Sequence, residues 1–194
     1  MDTVSLANHF LIAMPAMADP NFSRTLTYIC EHNAGGAIGI IVNRPMDMKL
    51  AGLFDRVSIP LEDHQAEARF AGLPVYFGGP VQTERGFVLH DKLAEDRAAY
   101  NSTLSIPGGL AMTTSKDVLE AMADGSGPKR VLITLGFSGW QAGQLEDELG
   151  RNGWLTVDAD PAVIFDTPIE ARYHRALSLL GFDPRMLSQE AGHA

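Results

Sequence analysis

The serine at position 138 has the most reactive surroundings in the chain. It lies in Gly136-Phe137-Ser138-Gly139-Trp140, directly after the strand-like Val131–Leu135 and ahead of a helical pattern starting near Gln141. A serine on a sharp strand-to-helix turn is the geometry of a nucleophile elbow, and such triads continue in chain order to an acid and a histidine, here Asp166 and His174. His32 and His90 are the other candidate bases. Two features weaken a hydrolase. Trp140 stands where the G-x-S-x-G pattern needs its second glycine, and Asp166 and His174 fall on a helix start and its body. The plainer reading is that Ser138 caps the helix, with Gln141 answering three residues later. Between the two stands an anion site, because glycine-rich backbone at a helix N-terminus offers N–H donors and partial positive charge.

Other chemistries find less support. The six histidines are dispersed, no C-x-x-C, H-x-H or H-E-x-x-H spacing occurs, and only a convergence of Glu31, His32 and His90 would hold a metal, which is disfavoured. Neither a P-loop nor a strand-helix G-x-G-x-x-G is present, so no nucleotide or other cofactor is expected. The polar pairs Asn43-Arg44 and Glu84-Arg85, with Glu31-His32, His90, Gln144 and Glu146, either satisfy one another or line a site. Beside Gly78-Gly79, an arginine fork from Arg44 or Arg85 would suit a carboxylate or phosphate. The candidate binding set is therefore Asn43, Arg44, Gly78, Gly79, Glu84, Arg85, Gly136, Ser138, Gly139, Trp140 and Gln144. Each has a structural reading beside the functional one: glycines for turns and close packing, Trp140 and Trp154 as core pieces whose N–H seeks an acceptor.

Positioning these groups falls to one domain, 1–194, since 45% hydrophobic and 20% charged residues over 194 positions fit a single packed core and exclude a disordered chain. Fifteen Lys and Arg against 24 Asp and Glu leave a net charge of −9, which disfavours direct nucleic-acid binding. The longest nearly apolar run, Phe10–Ala18, contains Pro15 and is far short of the roughly 20 residues that span a bilayer. The lone Cys30 and an N-terminus without a basic start place the chain in the cytoplasm, with Cys30 a buried, inert thiol.

Strands are expected at Phe10–Met17, Thr25–His32 and Ala37–Asn43, the last two joined as a hairpin through Asn33–Gly36, with Ile38–Val42 central. Residues 46–74 read as one or two helices. Val75–Phe77 and Gly86–His90 read as strands joined by Gly78-Gly79-Pro80, and Val131–Leu135 and Val163–Phe165 as two more. Capping boxes start helices at Thr114, Ser138 and Thr167. The last runs from Pro168 to Gly181, buries Ile169, Tyr173, Leu177 and Leu180, and is stopped by Pro184.

Nine segments identify the chain as similar to a known group. Leu11–Pro15, Asp19–Phe22, Tyr28–His32, Gly39–Pro45, Tyr76–Val81, Glu84–His90, Gly136–Trp140, Gly143–Glu146 and Asn152–Leu155 resemble, in order, the YqgE/AlgH family of bacterial proteins, over about residues 6–188. The resemblance implies a mixed α/β fold with a bifurcated, partly barrel-like sheet surrounded by helices. It also implies a regulator of transcription, as the AlgH name suggests, though acidity and the lack of a helix-turn-helix argue against operator binding. The expectation is a non-enzymatic cytosolic protein that binds a protein partner or a small anion.

Overall fold

The computed structural model of the chain describes residues 4–94 and 99–181. β1 (His9–Ala13), β2 (Leu26–Asn33) and β3 (Gly36–Ile41) form an antiparallel meander. The β2–β3 hairpin turns where expected, and Asn33 Oδ1 accepts the Gly35 N–H at 2.7 Å, the local bond that makes asparagine a turn former. β3 is covered on both faces, with Ile40, Ile41 and the following Val42 fully buried. β4 (Pro45–Lys49), α1 (Leu50–Arg56), α2 (His64–Phe70) and β5 (Pro74–Phe77) follow, then β6 (Val81–Asp91), β7 (Thr103–Ile106), β8 (Leu110–Thr113) and α3 (Asp117–Asp124). The described chain ends with β9 (Val131–Gln141), α4 (Gln144–Gly150), β10 (Trp154–Asp158), α5 (Pro161–Phe165) and α6 (Arg172–Leu179).

The strand order is β10-β1-β2-β3-β9-β6-β8-β7, every neighbour antiparallel. β5, itself paired to β4, joins β9 in parallel and makes the sheet fork. Its run along β9 ends with Phe77 opposite Leu135, and β3 takes up the pairing from Gly39 opposite Ser138. β6 lies along the remaining edge of β9, from Val81 opposite Phe137 to His90 opposite Val131. The fold is thus the mixed α/β arrangement expected, a bifurcated, partly barrel-like sheet with six α-helices among the described residues.

Three apolar clusters hold it. α1, α2 and α3 pack Leu50, Phe54, Phe70 and Met122 against Val75, Val88 and Ile133. α5 and α6 pack Ile164, Tyr173 and Leu177 against Phe10, Ile12 and Leu26, with Ile169 and Leu180 partly buried beside them, the face expected from helical spacing. The third gathers Leu11, Ile29, Ala37, Trp140, Leu145 and Trp154. Arg172, only 6% exposed, fixes α6 to the fork: its Nη1 donates to Val42 O at 2.7 Å and to the Tyr76 hydroxyl at 3.0 Å.

Several expected elements differ. Val163–Phe165 is helix rather than strand, because the Asp160 side chain accepts from Ala162 N–H and Pro161 occupies the first turn, a start signal that overrides β-branched content. Ser138 starts no helix: it continues β9, and α4 begins six residues later at Gln144. Ahead of α3 the bonding runs from Ser115 to Asp117 rather than from Thr114. Thr167 donates back to Ala162 O, and a 3₁₀ turn over Ile169–Ala171 precedes α6. Pro184 lies outside the described residues. β5 and β6 are joined through Gly78-Gly79-Pro80 as expected, and both flank β9.

Candidate functional site

The fork explains the glycines. Gly78-Gly79-Pro80 carries the chain from β5 to β6 across the backbone of β9, and no side chain fits at either glycine. A Cβ on Gly79 would lie 2.2 Å from the Phe137 carbonyl, and one on Gly136, whose φ is +77°, 2.3 Å from Gly79 O. Ser138 belongs to this junction. Fully buried, it donates its hydroxyl to Gly78 O at 3.1 Å, and the same carbonyl accepts the Ile41 N–H at 2.9 Å. The strand-to-helix turn that would have lifted its Oγ clear, or set free N–H donors before an anion, does not form.

Two of the candidate bases, His32 and His90, are committed elsewhere. His32 accepts the Leu6 N–H on Nδ1 at 2.9 Å, which assigns the proton to Nε2 and sends it to Glu146 Oε1 at 2.7 Å. Glu146 is held below the usual carboxylate range, chiefly by its own backbone N–H and then by His32. His90 places Nδ1 2.6 Å from Asp91 O and Nε2 2.7 Å from Thr113 Oγ1, and burial lowers its pKa. Asn43 and Arg44 brace the 19–26 turn: Asn43 Oδ1 accepts the Leu26 N–H, and Arg44 donates to the carbonyls of Asn21 and Ser23. Glu84 and Arg85 are exposed where β6 bulges between Val81 and Gly86, with Arg85 Nη2 3.2 Å from Thr114 Oγ1.

Three of the sequence candidates do meet in one cavity. Gly139 and Trp140 of β9 and Gln144 of α4 line a pocket of about 260 Å³ with Phe22, Trp154 and Glu148. The rings pack closely, with centroids 5.5 Å apart for Phe22–Trp154 and 6.2 Å for both Phe22–Trp140 and Trp140–Trp154. Glu148 organises them, since its Oε2 accepts the indole N–H of Trp140 at 3.0 Å and of Trp154 at 2.8 Å while Oε1 accepts from Gln144 at 3.0 Å. The helix that carries Glu148 starts where it does because Gly143, at φ +78°, ends β9 sharply and Gln144 Oε1 caps back onto Gln141 N–H. Met17, Asp19, Arg151 and Gly153 complete the lining. Sequence reasoning assigned Trp154 to the core and gave no signal for Glu148, whose role depends on two indoles brought together by strands that are not adjacent.

Four of the nine motifs, Asp19–Phe22, Gly136–Trp140, Gly143–Glu146 and Asn152–Leu155, supply walls of this single pocket. A family model described as AlgH-like matches residues 10–185. The chain belongs to the AlgH-like family. It is 61% identical over 191 residues to a UPF0301 protein of Ralstonia nicotianae, covering 98% of this chain and 96% of the relative. A UPF0301 protein of Burkholderia cenocepacia is 58% identical over 193 residues, covering 100% and 97%. Among solved structures, the solution structure of the AlgH protein from Pseudomonas aeruginosa matches with a TM-score of 0.77 and 49% identity over 100% of this chain and 98% of that one. A crystal structure of a Corynebacterium diphtheriae protein shares the fold at a TM-score of 0.62 and 19% identity, covering 84% of this chain and 80% of that one. No helix among the described residues of this AlgH-like protein is long and apolar enough to cross a membrane.

Proposed function

We propose that this AlgH-like protein works by binding, and that its ligand occupies the aromatic pocket between β9, α4, β10 and the turn around Phe22. The carrying observation is convergence: the distant Asp19–Phe22 motif meets three motifs of the 136–155 stretch on one concave, largely apolar surface with a few fixed polar groups, the general character of a ligand site. A regulatory role fits this reading if occupancy, rather than DNA contact, is what the protein reports, which suits a chain of net charge −9.

The small anion expected from a glycine-rich helix start finds its remaining support elsewhere. Arg85, exposed beside Thr114, stands at the rim of a cleft of about 240 Å³ whose lining includes Leu53, Val57, Leu119 and Lys116. Glu84 also lines that cleft and opposes an anion there.

A thermal-shift screen of small molecules tests the main reading, since a ligand specific for the folded state stabilises it by about 2.7 kcal/mol at a hundred times its dissociation constant. Hits are then repeated on Phe22→Leu, at the half-exposed mouth, and on Arg85→Gln, at the other cleft. Stabilisation lost in the first variant and kept in the second supports the pocket. The reverse pattern moves the site to Arg85.

A further inference from the structure

Given that the aromatic pocket is the binding site, the reading on which this step rests, the structure assigns it a class of ligand: we infer that it takes a small organic cation, a methylated ammonium group. Three aromatic rings, Phe22, Trp140 and Trp154, form its apolar lining together with Met17. Ring faces carry the negative lobe of the aromatic quadrupole and attract a cation within about 6 Å, most strongly for tryptophan. Both indole N–H groups, the positive edges of these rings, are spent on one carboxylate, Glu148. That leaves no indole donor for an anion, and donation to a carboxylate enriches the indole π-systems.

The charges at the pocket point the same way. Asp19 and Glu148 contribute two carboxylates and Arg151 one guanidinium. Asp19 is exposed, its Oδ1 accepts the Asn21 N–H at 2.9 Å, which holds the carboxylate at the mouth, and Arg44, bonded to the Asn21 and Ser23 carbonyls of the same turn, lies within reach of its charge. A primary ammonium would need three acceptors and loses strong hydration on entering an apolar space. A fully methylated, quaternary one needs none and presents a soft, apolar, positively charged surface, the form that aromatic cages recognise.

The space is available because one lining position lacks a side chain. Gly153 opens onto the cavity, and a Cβ there would stand 3.7 Å from Met17 Cε and 3.3 Å from Glu148 O, ordinary to tight contact with no positive φ. Gly153→Ala is therefore a tolerable way to reduce the cavity without touching an aromatic ring or a charge.

The decisive experiment titrates the full chain with choline and with its neutral carbon isostere 3,3-dimethyl-1-butanol, following the two tryptophan indole N–H resonances. Choline is expected to bind at about millimolar strength, as suits so small a ligand, and roughly tenfold more tightly than the alcohol, the contribution of a partly desolvated cation–π contact. Asp19→Asn keeps the acceptor for Asn21 and removes the charge, so it weakens choline several-fold and leaves the alcohol unchanged. Arg151→Gln does the opposite and tightens choline alone. Gly153→Ala weakens both. Equal affinity for the two probes overturns the cation assignment while leaving the pocket a binding site. If neither probe moves an indole resonance but a hit from the broad screen does, the cation is wrong and the site stands. If no compound moves them, the site reading itself fails.

Discussion

Replacing Gly136 by alanine puts a methyl group into the closest backbone crossing of the sheet. The new Cβ would lie 2.3 Å from Gly79 O, 3.1 Å from Val81 O and 3.3 Å from Thr83 Cα, all backbone atoms, at a residue whose φ is +77°. Left-handed backbone costs an alanine about 1–2 kcal/mol. Forcing the crossing strand outward adds about 1–3 kcal/mol, the usual range for overpacking, and the smaller unfolded-state entropy of alanine returns about 0.4–1 kcal/mol. The net loss is about 1–5 kcal/mol, a large part of the roughly 5–15 kcal/mol that holds a domain folded. With a urea slope of about 2 kcal/mol/M the unfolding midpoint falls by about 0.5–2.5 M. Gly86→Ala is the internal control: it lies one strand away, a methyl carbon there would meet no heavy atom within 4 Å, and the variant should stay within about 0.5 kcal/mol of wild type. Urea midpoints of Gly136→Ala and Gly86→Ala that coincide would refute the crossing as the reason for the glycine.

Five further outcomes follow from the same geometry. Ser138→Ala is expected to cost about 1 kcal/mol, the net value of one hydrogen bond, because Gly78 O keeps the Ile41 N–H. A fluorophosphonate probe should leave the folded wild type unlabelled, since Ser138 is 0% exposed, and labelling that Ser138→Ala abolishes would restore a nucleophile. His90 is held below its ordinary value of 6.5 by burial, so the folded state binds less proton than the unfolded. Its contribution to stability is full above about pH 6.5 and is lost as pH falls through the folded value, a slope that urea titrations at several pH values should show and His90→Gln should remove. Cys30, 2% exposed and with its thiol pushed upward by burial and then by Glu31, should resist thiol reagents until the chain is unfolded. Arg172→Met leaves Val42 O and Thr167 O without their donor and should destabilise by about 2–3 kcal/mol; an unchanged melting temperature would contradict the anchoring role of α6.

Local signals recovered the elements that local physics decides. The β2–β3 hairpin, the first half of β9, β5 and the inward face of α6 were readable because turn residues, β-branched runs and helical spacing all agree there. The misplacement of Ser138 has a specific cause. Two glycines around it imitate a turn, yet Gly136 is there because the β5–β6 connection crosses β9 closely, a constraint imposed by a segment about 60 residues away in sequence. Val163–Phe165 failed for the opposite reason, its β-branched content being outvoted by the Asp160-Pro161 start. Of the candidate site, the sequence pointed to Gly139, Trp140 and Gln144 but for a turn that does not form. That Trp140 needs an acceptor was readable; that Glu148 serves both tryptophans was not, since it depends on β9, α4 and β10 being packed together.

The chain contains two tryptophans, and both line the proposed site with their N–H groups on Glu148. The indole region of a ¹H–¹⁵N spectrum is therefore a two-signal reporter of that pocket alone. Titrated with a ligand that raises the melting temperature, both indole signals should move together and saturate with the dissociation constant that calorimetry gives. A ligand that saturates the protein while both signals stay in place would contradict the assignment of the pocket as the binding site.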